Sequence, residues 1–367
     1  MNKYTIPADF KIDNIYRMDE LNSSFTSSKI MEVYGQLTDG GANSGRSIDT
    51  LPQIEMSGLE AYVKELNKHN IQFNYTINQS CSSNNEFSKK TIQEITQLVN
   101  NLWNIGVSGV TIALPSIIEI VRYVRPELEI KASAICEINS VHKALFYKKL
   151  GAQRIVVDTD LTRRFDVLSS ISRAFGDGVE IIVTNMCHNN CPYKMFHYNH
   201  TAHRKIHENN EAERDFYDNR CFLQFAEEPD SALKLNWVRP EDIHLYKGIG
   251  INYFKIDGRD HVLSGDYIKT IHDYFVEKYD GNLFNLLYFY DEPQIQLRYL
   301  DNRNLDGFIE AFAENPGICT GICEECGYCS KYVDSTPLPK MTARSCNIMA
   351  KNLRKVDKFN MLLQDCQ

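Results

Sequence analysis

Residues 149–159 read KLGAQRIVVDT, and residues 248–258 read GIGINYFKIDG. In both, an amphipathic segment runs out near a glycine and a short apolar, β-branched run follows at once. Glycine suits the end of a helix because, lacking Cβ, it enters the left-handed conformation at little cost. A run such as Arg154 to Thr159 is too short for a helix and rich in strand-favouring residues. The same phrase recurs at 68–78 (KHNIQFNYTIN) and 104–115 (NIGVSGVTIALP). Working outward, strands are expected at Glu32 to Leu37, Ile71 to Asn78, Gly109 to Pro115, Glu129 to Ile135, Arg154 to Thr159, Glu180 to Asn185 and Ile251 to Asp257. Helical patterns lie between most of them, as in Gly58 to His69, Lys90 to Ile105 and Val141 to Leu150. Strands alternating with helices imply βαβ units and a parallel sheet. Seven or eight units imply an α/β fold, an irregular TIM-like (β/α) barrel with a short cysteine-rich C-terminal extension.

Length agrees, since one barrel of about 250 residues plus an appendage fits within 367 residues. After about residue 280 the rhythm breaks: 281–313 read as mixed connection and helix, 314–340 are rich in Cys, Gly and Pro, and Thr342 to Gln367 is again helical in pattern. The expected division is a barrel over 1–280 and an extension with a cysteine-rich metal-binding segment over 281–367.

Forty Lys and Arg stand against 48 Asp and Glu, a formal charge of −8. No stretch is basic enough to form a phosphate-binding stripe, so a nucleic-acid partner is not favoured. The opening MNKYTIPADFKIDN lacks the charged-then-apolar pattern of a signal peptide, and no run approaches the roughly 18 apolar residues of a membrane span. A cytoplasmic protein with no membrane partner is the expectation. Eleven cysteines in a reducing compartment point to metal or redox chemistry rather than disulfides.

In a barrel enzyme the working residues sit at the C-terminal ends of strands and in the loops beyond them. Cys81 follows one expected strand end, Cys187 and Cys191 follow another with three residues between them, and Cys221 follows Cys191 with 29 residues between. A tight loop can aim Cys187 and Cys191 at one metal, and Cys81 and Cys221 would complete the shell of an iron–sulfur cluster. Zinc and unligated thiols are the rival readings; zinc more often draws on two-residue knuckles and on His. Cys136 reads as a small buried apolar residue. A denser set, Cys319, Cys323, Cys326 and Cys329, lies in CTGICEECGYC. Its C-x₂-C-x₂-C run is ferredoxin-like, with a structural zinc clip as the alternative.

His197, His200 and His203 recur at three-residue spacing in CHNNCPYKMFHYNHTAHR, so a helix would bring them to one side as acid–base groups or donors to an anionic substrate. The plainer reading is a solvated helix face. In the loop Thr38 to Arg46, glycines permit close backbone approach and Arg46 offers a fork for carboxylate or phosphate; a flexible loop without a ligand is the alternative. Arg239, in NWVRPED, is a second candidate anion holder. Lys255 and Asp257 alternate on one strand, so both point to one side and could form a charge pair at the barrel mouth, with Arg259 beside them as a substrate-binding group. Structural pairing inside the barrel is the alternative.

Together EVYGQLTDGGANSGR, FNYTINQSC, GVSGVTIALPSIIEIVR, LGAQRIVVDTDLTRRF, NMCHNNCPYKMFHYNHTAH, NWVRPEDIHLYKGIGINYFKIDGR and CEECGYC resemble peptidase family U-32, the collagenase-like proteins, over roughly residues 28 to 335. The resemblance implies an irregular TIM-like barrel holding an oxygen-sensitive 4Fe-4S cluster on four cysteines. It also implies oxygen-independent hydroxylation, as in relatives acting on ubiquinone precursors or RNA bases, with prephenate as oxygen donor and an electron-donor protein as partner. By motif Cys187, Cys191 and Cys221 carry over as ligands, and Cys81 is similar to an outlying cysteine of some members. The two central cysteines are closer together here than in the commoner family pattern, which leaves the fourth ligand and the substrate open.

The leading expectation is therefore a 4Fe-4S enzyme modifying a small anionic molecule, a peptide or an RNA base in the barrel mouth, with Arg46 or Arg239 holding an anionic oxygen donor. A second 4Fe-4S cluster or a zinc ion is expected on the C-terminal cysteines. The family name supplies the alternative of a peptidase, although no Gly-x-Ser-x-Gly or His-Glu-x-x-His occurs. A cluster-carrying electron-transfer accessory protein is the third.

Overall fold

The computed structural model describes residues 1–38, 51–203, 216–217, 219–224, 230–291, 300–335, 350–351, 354 and 357–365. Eight parallel strands close into a barrel in sequence order: β1 (Asn2–Pro7), β2 (Ser28–Gly35), β3 (Gln72–Ile77), β4 (Gly109–Ile112), β5 (Glu129–Ala132), β6 (Arg154–Val156), β7 (Val179–Ile182) and β8 (Tyr253–Lys255). Between the strands run α1 (Ile12–Ser24), α2 (Met56–Lys68), α3 (Lys89–Asn104), α4 (Pro115–Val124), α5 (Val141–Leu150) and α6 (Phe165–Phe175). A further helix, α7 (Lys194–His203), follows β7, and residues Tyr267–Val276 form the helix after β8. The expected barrel is present, with one more strand than the seven read from sequence: β1 begins at Asn2, without the helix-to-glycine lead-in that marks the others.

Local chemistry starts and stops these elements. Ser88 and Ser140 accept hydrogen bonds from Thr91 N and Lys143 N, capping α3 and α5. Pro115 opens α4, where its missing N–H is not needed. Gly151 ends α5 in the left-handed conformation (φ 111°), and Ala152 N closes on Tyr147 O behind it.

Strand alternation sorts side chains into two sets. Tyr4, Ile30, Phe73, Val110, Ile130, Ile155, Ile181 and Phe254 are fully or almost fully buried in the core cluster shared with the helices. The opposite parity points into the barrel, and there the filling is charged. Lys131 pairs with Glu32, and with Glu180 at 2.8 Å; Arg154 reaches Glu32 at 2.7 Å and Glu180 at 2.5 Å. Thr5 donates to Glu180 at 3.2 Å, Asn74 to Glu32 at 3.3 Å, and Thr111 to Asn74 at 2.6 Å. Burial alone would raise both carboxyls, but Lys131 and Arg154 reverse this: Glu180 is held down at about 2 and Glu32 also below its ordinary value.

Packing is continuous across residue 280. Leu283, Leu286, Phe289, Leu305, Phe308 and Phe312 belong to the same buried cluster as the strands, so the described stretches 281–291 and 300–313 pack onto the barrel. Among the described residues no helix is long and apolar enough to cross a membrane.

Candidate active site at the barrel mouth

Above the charged layer, towards the C-terminal ends of the strands, the filling changes. Lys255, at the end of β8, lays its ammonium 3.9 Å from the centre of the Tyr34 ring. None of the ion pairs among the described residues engages it, in contrast to Lys131 one layer below. Burial, then repulsion from Lys131 and Arg259, push Lys255 down to about 7, against attraction from Glu180 and Glu32. Arg259 is buried beside it, 5.7 Å from the Tyr34 ring, and donates to Gln36 at 3.0 Å and Thr76 at 2.9 Å. An amine that is about half uncharged at pH 7, next to a guanidinium that stays charged, is the combination that moves protons on an anionic ligand.

Lys255 and Asp257 do not form the expected charge pair. Asp257 instead accepts from Thr184 Oγ1 at 2.7 Å and Asn185 Nδ2 at 3.5 Å, which binds the exit of β7 to that of β8. Arg239 is a clearer correction. Its guanidinium is buried, clasps Asp242 through Nε (2.9 Å) and Nη2 (2.7 Å), and spends Nη1 on Asn302 O and Asp306, each at 3.0 Å. The three-residue spacing in Arg239-Pro-Glu-Asp242 is the signal for this clamp. The expected role as anion holder therefore falls away, because the fork is already filled. Arg239→Lys, which cannot reproduce the bidentate grip, should cost about 1–3 kcal/mol in urea unfolding while leaving turnover unchanged. Arg46 lies outside the described residues.

The helix α7 spans the mouth. Lys194 at its start is tied to Asp158 (2.7 Å) and Asp160 (2.5 Å) in the loop after β6. His203 at its end lies 3.4 Å from Ser83 in the loop after β3. Those loops are three strands apart in an eight-stranded ring, and ten helical residues cover about 15 Å. His197 and His200 are carried on this crossing helix, against the Tyr217 ring at 5.4 and 5.5 Å. Sequence reading found the histidines and passed over Lys194, Asp158 and Tyr34, which hold the crossing and seat the amine. A lysine three residues before an expected histidine face carries no distinctive spacing, whereas Asp158, two residues past the end of β6, was open to notice.

Cys81 and Cys187 follow the ends of β3 and β7. Cys187 N donates to Asn185 Oδ1 at 3.0 Å, so the loop turns sharply after β7. Cys187 and Cys221 are both charge-bearing neighbours of Tyr288, whose hydroxyl burial pushes up to about 12. Cys81 lies two residues before Ser83, and Cys191 three before α7. Four thiols match the donor chemistry of an iron–sulfur cluster; their arrangement does not. Among the described residues no three Cys, His, Asp or Glu are drawn close enough to hold a metal ion. Cys136 is a partly buried thiol that donates to Ile112 O and Ala113 O and packs against the core.

The profile of Peptidase family U32 matches residues 52–309. A relative from Methanocaldococcus jannaschii, named as the uncharacterized protease MJ1657, is 30% identical over 335 residues, covering 89% of this chain and 96% of its own length. Among solved structures, the U32 peptidase Mk0906 superposes with a TM-score of 0.50 at 16% identity, over 70% of this chain and 94% of that one. At that identity the likeness speaks for the fold alone.

Proposed function

Because this chain belongs to peptidase family U32, we propose that it is an enzyme working in the C-terminal mouth of its barrel, on a small anionic or peptide substrate, with Lys255 as the proton-transferring group. The observation that carries this is the placement of Lys255: at a strand end, against Tyr34, outside the ion-pair network that neutralises Lys131. Enzymes put acid–base groups at this end of the barrel. The neutral amine accepts a proton from a substrate C–H or from water, Arg259 draws the substrate's negative end, and α7 limits access of bulk water. Solvent-deuterium exchange into carbonyl-bearing acids, followed by NMR, tests this directly. The rate should rise through pH 7 in the native protein and lose that rise in Lys255→Met. A native profile flat across pH 7 would remove Lys255 from the chemistry. Cleavage of peptides or gelatin by the native protein, lost in the same variant, would identify the substrate class as peptide.

A second reading is oxygen-independent hydroxylation supported by a 4Fe-4S cluster on Cys81, Cys187, Cys191 and Cys221, with an electron-donor protein as partner and prephenate as oxygen donor. Cys187 and Cys221 are both electrostatic neighbours of Tyr288, which favours it. Bound there, a cluster would supply redox or Lewis-acid chemistry. Protein purified without oxygen should contain iron and acid-labile sulfide, and Cys187→Ser should lose about four irons per chain, the content of one cubane. Zinc without iron would end this reading.

A further inference from the structure

We propose that Cys319, Cys323, Cys326 and Cys329 hold a four-thiolate metal centre whose negative charge is met by the buried guanidinium of Arg163. The centre stands apart from the barrel-mouth chemistry and does not depend on it.

Arg163 follows β6 and is buried at 6% exposure. Its guanidinium is boxed by three rings: Phe308 at 5.1 Å, Trp237 at 5.5 Å and Phe312 at 5.5 Å. One donor reaches Leu235 O at 2.8 Å, and Nε has no hydrogen-bond partner. Lys131, Arg154, Lys194 and Arg239, also well buried, each have a carboxylate partner. Arg163 has no carboxylate in ion-pair distance among the described residues; its charge-bearing neighbours are Cys329, Tyr246, Cys319 and Tyr328. A buried cation facing neutral thiols is costly, because desolvation is not repaid. The same cation facing thiolates bound to a metal is matched, since a metal ion or cluster in four thiolates keeps a net negative charge.

The thiols are positioned accordingly. Cys319, Cys323 and Cys329 are electrostatic neighbours of one another, and Cys326 Sγ turns to Ile318 O at 3.4 Å. They have not converged to ligand distance, so binding would require the loop to close around the metal, with loss of the thiol protons. The following helix, Tyr328–Ser335, is docked independently. Tyr328 stacks on Phe308 at 5.5 Å and donates to Phe308 O, while Tyr332 donates to Asn304 O and Asp306 O. The cysteine loop is thus held over Arg163 by aromatic packing before any metal arrives.

The test uses full-length protein in a Cys187→Ser background, so that the barrel thiols do not contribute, purified without oxygen and analysed for iron, zinc and sulfide. Iron with sulfide identifies a cluster, zinc alone a structural ion. Either should disappear in Cys323→Ser/Cys326→Ser, a pair that includes the exposed Cys323 and leaves the Arg163 box intact. Arg163→Met should keep the fold and melt higher than the native chain when both are metal-free, while releasing metal to a chelator about 10–100-fold faster; Arg163→Lys should restore slow release. No bound metal, or metal unchanged by the double serine variant, overturns the centre. Release unchanged in Arg163→Met overturns the role of the guanidinium.

Discussion

Lys255→Met should lower turnover by about 10²–10⁴-fold, the usual contribution of a positioned acid–base group, and should also make the protein more stable at neutral pH and below. The two effects share one cause. Lys255 titrates near 7 in the folded chain because burial and Lys131 oppose its charge, against an ordinary value of 10.5. Between those values the unfolded chain binds a proton that the folded chain does not. Stability from this residue is therefore intact above about pH 10.5 and declines as pH falls towards 7, where the loss is complete. Methionine occupies the space without ionising, so the gain appears in a melting scan at pH 6 and fades by pH 11. Activity and stability moving in opposite directions would mark Lys255 as a group kept for chemistry. A variant that loses stability at pH 6 would contradict this account.

Glu180→Gln should be the most damaging single change to the barrel. Glu180 is fully buried and accepts from Lys131, Arg154 and Thr5. Removing its charge leaves two buried cations sharing Glu32, and breaking a buried pair from one side costs about 3–5 kcal/mol. For a chain of this size that lowers the melting temperature by roughly 10 °C. The native protein should show the same dependence in acid. Glu180 is held at about 2 against an ordinary 4.5, so its contribution is present above pH 4.5 and is lost as pH falls towards 2. Glu180→Gln should flatten that part of the acid-unfolding curve. If it melts like the native chain, the central network is not what holds the strands in register.

The barrel was legible because a helix ending at Gly or Asn and followed by an apolar run repeats visibly, and parallel strands packed on both sides need such runs. Asn2–Pro7 escaped because it is not read together with a helix-to-glycine phrase ahead of it. The stretches 281–291 and 300–313 escaped because their contribution is tertiary: Leu283, Phe289 and Phe308 pack on the barrel from a short helix and turns with no period to read. Within the site, strand parity placed Lys255 and Asp257 on one side, but parity does not choose partners, and Thr184 on the neighbouring strand took Asp257. The charged interior was open to inspection in one respect. Glu32, Lys131, Arg154 and Glu180 each interrupt an otherwise apolar run at a comparable height. Four such interruptions in four strands signal that the residues meet. Arg163 gave no such signal, since its ring box is assembled from residues 74 to 149 positions further along the chain.

The crossing of α7 has a kinetic consequence. A helix fastened at Lys194 to the β6 side and meeting Ser83 on the β3 side lies across the end of the barrel where the proposed chemistry sits. With Lys255 as the working group, ligand capture should take two steps, its observed rate levelling off with rising ligand concentration at the speed of helix opening, a motion of microseconds to milliseconds. Product should leave by the same route. The ceiling on turnover should then depend on how firmly two aspartates hold one lysine.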